Sequence, residues 1–429
     1  MRQKLQEIIK SWWISPLPVI YPRQIDLTDF FNQKLKKTLA VVGFRRVGKT
    51  FSLLDFAKKH GQAKCVYFNF EDDRLPKITE TLMAVTDAVA ELRGQSSMVF
   101  LMDEIQEIPD WSRWVRRMNE TTPHRVIISG SSSRLSSSEL PTELRGQTIT
   151  IPMFPLTWPE YLKFCRLDQK VLPVAVVSGH LQTFLRYGGL PEIVLADEGL
   201  KPHILTDYYR SFVDHDIVER HRLRQREAFT DLLRLLPGTR AFTYSKLANT
   251  LKSLGHTATK DTVIRYLNWA GQTYFFSYLD VYHTSAVKRL QSPKKAYLID
   301  NYFTLFYGST GSENIGHLME QAVFHQLQIF CARNPSYQLY YWKDFSQHEV
   351  DFVLTGNQAV RELIQVSYAS KKHEIADREI DGLVKAARRF GISQTTLVTW
   401  DYSGGMTVKG VTIVCRPLND WLMAASEKM

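Results

Sequence analysis

The segment GFRRVGKT, at positions 43–50, is the part of the chain whose residue types and spacing most clearly indicate chemistry, because it fits the pattern GxxxxGK[ST] in full. Two glycines let the main chain curl around a phosphate and turn several N–H groups inward. Lys49 is expected to reach the β- and γ-phosphates of a nucleotide, and Thr50 to offer its hydroxyl to Mg²⁺. The predicted nucleotide contacts are Gly43, Arg46, Val47, Gly48, Lys49, Thr50 and Phe51.

An acidic pair supplies the second half of this predicted site. Met98 to Met102 are all apolar, and Asp103 and Glu104 follow them directly. Asp103 is expected to hold Mg²⁺ through its water shell, and Glu104 to orient and deprotonate the attacking water. The alternative is a helix N-cap aspartate beside a solvated glutamate. Because a phosphate-binding loop precedes the pair, the catalytic interpretation is favoured.

Polar and basic residues further along supply candidates for the γ-phosphate. Ser131 or Ser132, after the run HRVIISG, is expected to face it, unless the segment is a plain serine-rich turn. Hydrolysis at such a site also uses an arginine that offsets transition-state charge, in cis or from a neighbouring copy. Arg145 is the first candidate and Arg134 the second, and for each the competing interpretation is a solvated surface arginine.

A parallel sheet is the element that would position these residues. Short apolar runs predict buried strands, helical segments lie between them, and one helix starts near Lys49. Alternation of this kind calls for a parallel sheet that is covered on both faces. The helix after the loop would present its positive amino-terminal end to the same phosphate. The predicted fold class is therefore α/β, and the predicted strands lie within 39–42, 65–70, 96–108 and 124–133.

Composition places the chain among ordinary globular proteins. It has 429 residues, 44% of them hydrophobic, which suggests two or three domains. The formal net charge of +10 favours anionic partners or is a solubility charge spread over the surface. The 4 cysteines lie far apart, so neither a disulfide framework nor a zinc site is predicted. No signal peptide and no membrane-spanning run is recognised, and the default compartment is a reducing cytoplasm.

Several segments in combination identify a family. GFRRVGKT, FLMDEIQEIPDW, IISGSSSRL and ELRGQTITIPMFPLTWPEYL are followed by RYGGLPEIV, SFVDHDIVERH, EVDFVL and LIQVSY. Together they resemble the bacterial and archaeal AAA-type ATPases that carry a C-terminal DUF4143 region, within the AAA+/STAND-like P-loop class. Relatives often carry LRGR where this chain has Arg145 and then Gln147, so one potential phosphate contact is missing.

The resemblance implies four regions. These are an AAA+ core with an N-terminal helical extension at 1–150, a helical lid or linker at 151–226, a winged helix-turn-helix at 227–285, and a degenerate restriction-endonuclease-like, PD-(D/E)XK-type domain at 286–429. In the winged helix, Lys260, Thr262, Arg265 and Asn268 would face a DNA major groove. The alternative is that this region docks a protein or acts as a lid.

The last region retains part of a nuclease pattern. A metal-dependent nuclease of this fold needs two carboxylates around Mg²⁺ and a lysine near the attacking water. Glu320 and Asp351 remain, whereas Gln365 replaces the second-strand carboxylate and Ser367 replaces the lysine. Glutamine can ligate Mg²⁺ through its carbonyl but adds no charge. A vestigial site that serves nucleic-acid binding is predicted, and weak cleavage is the alternative.

Basic residues recur around this lobe and predict either a phosphate-binding surface or the charged outer face of a helix. They include Lys288, Arg289, Lys294, Lys295, Lys371, Lys372, Lys385, Arg388 and Arg389. The overall expectation is an ATPase that uses ATP and Mg²⁺ and couples nucleotide state to conformational change. Expected partners are DNA or another nucleic acid, a partner protein, or further copies of the chain. The alternatives are an ATP-regulated nuclease and a slow-turnover nucleotide sensor or scaffold.

Overall fold

The structure is a computed structural model that describes residues 1–32, 35–94, 96–131, 144–168, 171–239, 241–308 and 315–427. The chain divides into two compact units. Unit 1 comprises Met1–Phe154 and Gln272–Tyr274, and unit 2 comprises Pro155–Gly271 and Phe275–Met429. Four separate domains with the boundaries given above stay a prediction.

Unit 1 is built on a five-stranded sheet in which every paired strand is parallel. The order is β2-β3-β4-β1-β5. Four of these strands lie where apolar runs predicted them, which confirms the α/β class. The fifth was not predicted: it is a short segment that ends in proline, and only Ile151 of it is buried, so it lacks the apolar run of the other four. The strands are β1 Thr38–Val42, β2 Cys65–Asn69, β3 Val99–Asp103, β4 Arg125–Gly130 and β5 Thr148–Pro152.

Helices accompany this sheet, and apolar side chains from the first, fourth and fifth of them form a core with the strands. The helices are α1 Arg2–Ile14, α2 Leu27–Phe31, α3 Lys49–His60, α4 Thr79–Arg93 and α5 Trp111–Thr121. Every residue of β1 and β3 is buried, which explains why both read as unbroken apolar runs. Because the strands are parallel, the carboxyl ends of β1, β3 and β4 meet at one edge of the sheet. The segments 43–50, 103–104 and 129–131 therefore lie together at that edge.

Unit 2 begins with helices, as predicted for 151–226. They are α6 Trp158–Phe164, α7 Val174–Tyr187, α8 Pro191–Leu195 and α9 Lys201–Ser211, then a π-helix, Phe212–Glu219, and α10 Arg226–Leu235. The backbone stays in the helical region from Ser211 through Phe212, so α9 runs directly into the wider π-helical turns. Such segments are rare and occur often at functional sites.

The next part of unit 2 contains the two helices predicted for a winged helix. These are α11 Tyr244–Ser253 and α12 Lys260–Gln272, followed by β6 Phe276–Leu279, α13 Ala286–Gln291 and β7 Lys295–Leu298. Strands β6 and β7 pair antiparallel. Thr259 caps α12 as predicted, because its hydroxyl accepts a hydrogen bond of 3.2 Å from the Thr262 amide. Assignment of this region as a winged helix stays a prediction.

A mixed six-stranded sheet completes unit 2, in the order β12-β13-β11-β10-β9-β8. Its strands are β8 Tyr337–Lys343, β9 Glu349–Gly356, β10 Ala359–Ser367, β11 Gln394–Thr399, β12 Gly404–Val408 and β13 Val411–Pro417. The accompanying helices are α14 Asn301–Tyr307, α15 Ile315–Arg333, α16 Asp377–Phe390 and α17 Leu418–Glu427. Phe352 packs in the core that includes α15 and its neighbour Val353 in the core that includes α16, so helices cover both faces.

The relation of this second fold to restriction endonucleases stays a prediction. Within the described ranges, no helix has both the length and the apolar character that crossing a bilayer requires.

Candidate nucleotide-binding site

The loop at 43–50 has the backbone geometry that its two glycines allow. Gly48, the residue before α3, has a φ of 100° in the left-handed region, which favours glycine. Gly43 has a φ of 152°, and a Cβ there would lie 2.3 Å from the main-chain oxygen of Met153. Only glycine therefore lets the loop pass this close to the chain that follows β5.

Lys49 points into the loop that precedes it. Its Nζ donates to the carbonyl oxygens of Gly43, at 3.2 Å, and Phe44, at 3.1 Å. It also lies 3.8 Å from Oε1 of Glu104, and only 5% of the side chain is exposed. A buried ammonium at the centre of a glycine-bounded loop is placed to meet phosphate oxygens, where charge-assisted hydrogen bonds are strong.

Asp103 ends β3 and is fully buried. Its carboxylate accepts hydrogen bonds from the hydroxyls of Thr50, at 2.7 Å, Tyr67, at 3.0 Å, and Ser129. Burial and the neighbouring Glu104 raise the pKa of Asp103, although the hydroxyls oppose this shift. Among the described residues, no basic side chain pairs with it. A buried carboxylate beside the Thr50 hydroxyl is an oxygen donor set that suits Mg²⁺.

Glu104 has hydrogen-bond partners that differ from those of Asp103. Its Oε2 accepts from the Ser131 amide at 3.0 Å and from the side-chain amide of Gln106, while its own N–H donates to Ser129 Oγ at 3.3 Å. Burial alone would raise the pKa of Glu104, but Lys49 and these hydrogen bonds outweigh it and the pKa is lowered. Glu104 also has a φ of 51°, which is uncommon for a residue other than glycine and is found at active sites.

The structure therefore brings most of the predicted nucleotide-site residues to one edge of the sheet. Ser131 lies there and contacts Glu104 through both its main-chain N–H, at 3.0 Å, and its side chain. Arg46 and Phe51 are exposed at the loop and at the first turn of α3. The other candidates, Ser132 and Arg134, lie outside the described residues.

Arg145 lies at the other edge of the sheet. It precedes β5, whose first residue, Thr148, pairs with Thr38 at the start of β1. Because β1 runs from Thr38 toward the loop, the length of the strand, roughly 13 Å, separates Arg145 from the phosphate-binding edge. This position is incompatible with Arg145 acting within its own chain. Action from a neighbouring copy stays a prediction.

Three contributors to the site carried no recognised signal in the sequence. Arg23 donates to the main-chain oxygens of Val47, at 2.7 Å, and Phe154, at 2.8 Å, and so ties the loop to the chain after β5. Tyr67 and Ser129 both donate to Asp103. These two could have been proposed from strand adjacency, since β2 and β4 flank β3, but nothing marks Arg23 in its proline-containing segment.

A second buried cluster lies in unit 2 and includes the predicted vestigial nuclease residues. Lys295 Nζ lies 2.7 Å from Glu349 Oε1, 2.8 Å from Asp351 Oδ1 and 3.1 Å from Glu320 Oε1. The Gln365 side chain accepts from the Asp351 amide at 3.1 Å. The structure therefore brings Glu320, Asp351 and Gln365 together, with Glu349 as an addition.

Lys295 corrects two expectations. The predicted basic surface included Lys294 and Lys295, but both are buried, and each pairs with acids. The cluster also has an ammonium group, delivered from β7 rather than from the second strand of the pattern. Burial, with repulsion from Glu320, raises the pKa of Asp351 to about 7, although Lys295 opposes the rise. Lys295 thus provides the positive charge that a metal ion would otherwise supply to these carboxylates.

Comparison with known proteins agrees with the first site. A family model described as an AAA domain matches residues 35–162, and two domains of unknown function, DUF8612 and DUF4143, match residues 178–302 and 315–403. The uncharacterized protein MJ1544 of Methanocaldococcus jannaschii is 31% identical over 86% of this chain and 82% of its own length.

Two further similarities extend along much of the chain. An uncharacterized protein of Haemophilus influenzae is 25% identical over 92% of this chain and 95% of its own length. Among solved structures, the Walker-type ATPase PABY2304 of Pyrococcus abyssi matches with a TM-score of 0.43 and 13% identity, covering 72% of this chain and 95% of that one.

Proposed function

Because the chain belongs to the family of P-loop ATPases that join an AAA domain to a C-terminal DUF4143 region, we propose that it binds ATP with Mg²⁺ and hydrolyses the terminal phosphate bond. One observation carries this proposal. Lys49, Thr50, Asp103 and Glu104 converge at one edge of a parallel sheet, where they are buried or partly buried. Each of the four has a partner that orients it.

Each of these four side chains would have a different role. Lys49 would exchange the carbonyl oxygens of Gly43 and Phe44 for phosphate oxygens, which accept stronger hydrogen bonds. Thr50 and Asp103 would hold Mg²⁺, which neutralises phosphate charge when bound. Glu104 carries a lowered pKa and is therefore ionised at neutral pH. It would accept the proton of the attacking water while Ser131 and Gln106 fix its carboxylate.

The experiment that tests nucleotide binding is calorimetry with Mg²⁺ and ATP on Lys49→Ala. Lys49→Ala removes the buried ammonium that points into the loop, whereas Arg45 and Arg46 are partly or fully exposed, so ATP binding is expected to fall below detection. Lys58→Ala is the matched control, because Lys58 is an exposed lysine on the same helix. Unchanged ATP affinity in Lys49→Ala would exclude the proposed site.

We also propose that unit 2 changes conformation with the nucleotide state and binds a nucleic acid or a partner protein. Arg145 of one copy would then act at the nucleotide site of a neighbouring copy. The exposed position of Arg145 supports this role, because it is available to a neighbour. Active cleavage of DNA is disfavoured by Lys295, whose charge already compensates the carboxylates. A divalent-dependent cleavage assay on the full chain tests this, and metal-stimulated cleavage that is lost in Asp351→Asn would favour the nuclease alternative.

A further inference from the structure

Unit 2 contains a cavity that none of the motifs accounts for. It has a volume of about 330 Å³ and is lined by residues of α9, α10 and α14. This volume lies at the lower end of the range for small-molecule sites, roughly 300–1,000 Å³. The residues that matter for its chemistry are Tyr209, Arg210, Arg226, Arg234, Phe306 and Tyr307.

Two tyrosines form the inner wall of this cavity. The rings of Tyr209 and Tyr307 stack with centroids 4.2 Å apart and planes inclined by 28°. Tyr209 is only 7% exposed, and its buried hydroxyl has no hydrogen-bond partner among the described residues. Buried polar groups in folded proteins nearly always have a partner. This hydroxyl is enclosed by the protein, so the part of Tyr209 that lines the cavity is its ring.

Three arginines lie at the mouth of the cavity. Arg226 pairs with Asp214 at 2.7 Å, and Arg234 pairs with Asp231 at 3.2 Å. Arg210 is exposed and forms no ion pair with any described residue. The lining residues thus include three arginines and no acidic side chain, so the lining is positively charged. A guanidinium binds phosphate with two parallel hydrogen bonds, so an anionic ligand is favoured there.

We propose that this cavity binds a free mononucleotide, or a molecule of that size with one phosphate and one planar ring. The guanidinium of Arg210 would bind the phosphate, with Arg226 and Arg234 adding positive charge. The planar ring would stack on Phe306, which is 43% exposed at the cavity, or on Tyr307. These residues all belong to unit 2, whereas the loop at 43–50 belongs to unit 1.

A role in regulation follows from the neighbouring π-helix. Asp214 lies on that π-helix and pairs with Arg226 at the mouth. A phosphate that competes for Arg226 would loosen this pair and so change the stability of the π-helical turns. The cavity is thus a place where a small metabolite would act on the helical part of unit 2.

The test uses the full chain carrying Lys49→Ala, so that nucleotide binding at the loop 43–50 does not contribute to the measured heat. AMP, GMP and UMP are titrated by calorimetry, with inorganic phosphate and a single-stranded DNA oligonucleotide as separate arms. At least one mononucleotide is expected to bind with one-to-one stoichiometry. Arg210→Gln is expected to weaken that binding at least tenfold, because a charge-assisted hydrogen bond pair is lost. Tyr209→Phe, which keeps the ring that lines the cavity and removes only the enclosed hydroxyl, is expected to leave that binding unchanged.

Arg224→Gln is the matched control, because Arg224 is exposed and does not line the cavity. The proposal is overturned if no mononucleotide binds, or if Arg210→Gln and Arg224→Gln bind one equally well. Binding of the oligonucleotide alone would overturn the assignment to a free mononucleotide. Because the outcome depends on Arg210, it stands apart from whether the chain hydrolyses ATP.

Discussion

Asp103 and Glu104 show how two adjacent carboxylates acquire different chemical roles from their partners. Asp103 receives hydroxyls and has a raised pKa, whereas Glu104 receives an amide hydrogen bond and lies beside Lys49, so its pKa is lowered. A carboxylate without a cationic partner suits metal binding, and an ionised carboxylate held by hydrogen bonds suits proton abstraction. The division of roles expected from the motif is thus supported by the contacts.

Glu104→Gln is expected to retain ATP and to slow its hydrolysis by roughly 10²–10⁴-fold, because a general base is lost while the loop and Lys49 remain. Steady-state phosphate release and the amount of ATP retained after gel filtration would measure the two effects. Glu107→Gln is the control, since Glu107 is partly exposed and pairs with Lys77 at 2.7 Å. Hydrolysis by Glu104→Gln at the parent rate would mean that another group is the base.

At the scale of elements, the turn between α7 and α8 joins distant parts of unit 2. The Gly189 amide donates to Asp300 Oδ2 at 2.7 Å, and Asp300 also caps α14 by accepting from the Tyr302 amide at 2.9 Å. Burial raises the pKa of Asp300 to about 6, although these two amides oppose the rise. The two glycines allow this close packing, since a Cβ on Gly188 would lie 1.7 Å from Asp300 Oδ1 and a Cβ on Gly189 would lie 2.4 Å from the oxygen of Leu156.

Gly189→Ala is therefore expected to destabilise the protein by about 1–3 kcal/mol or more, the usual cost of forcing extra atoms into a packed site. The midpoint of urea unfolding, followed by circular dichroism, measures this loss. Gly179→Ala is the control, because Gly179 lies within α7 and a Cβ there would meet no atom within 4 Å. That change is expected to be neutral or to stabilise by about 0.5–1 kcal/mol. Equal midpoints for the two variants would contradict the steric argument.

The Lys295 cluster also belongs to this scale, because β7, α15 and β9 each contribute to it. Lys295→Met would leave Glu320, Glu349 and Asp351 without their shared ammonium, at a cost of about 3–5 kcal/mol. The loss is expected to be smaller at about pH 5 than at about pH 8, since protonated carboxyls no longer repel one another. Urea midpoints at both pH values measure it, with exposed Lys288→Met as the control. A loss independent of pH would contradict the charge argument.

Particular residues show what the sequence could and could not predict. Lys49, Thr50, Asp103 and Glu104 could be assigned because their spacing is local and each follows a buried strand. The ion pair of Lys295 with Asp351 could not be predicted. Lys295 lies on β7, which is outside the six-stranded sheet that contains Asp351, so their contact depends on tertiary packing. The position of Arg145 could not be predicted for a related reason, since β5 has only Ile151 buried and was not recognised as a strand. A role for Arg145 from a neighbouring copy stays a prediction.

At the scale of the whole molecule, the nucleotide site lies within unit 1, whereas the Lys295 cluster and the arginine-lined cavity lie within unit 2. The proposed coupling requires that events at the first site change the second unit. In Glu104→Gln, Mg²⁺ and ATP are expected to slow amide hydrogen exchange at 43–51 and to alter it at Phe212–Glu219. Hydrogen-exchange mass spectrometry measures both. Lys49→Ala is the control and is expected to show neither change, and changes confined to unit 1 would contradict the coupling.

The hydrogen bonds of Arg23 determine where the N-terminus of this protein can be truncated without loosening the loop. The AAA family match begins at residue 35, so a fragment cut at that boundary would keep every residue of the nucleotide motifs and still lose the side chain that fastens Val47 to Phe154. Such a fragment is expected to bind ATP more weakly than the full chain, because part of the binding free energy would then be used to order the loop. The functional N-terminal boundary of this domain therefore lies before its recognisable motifs.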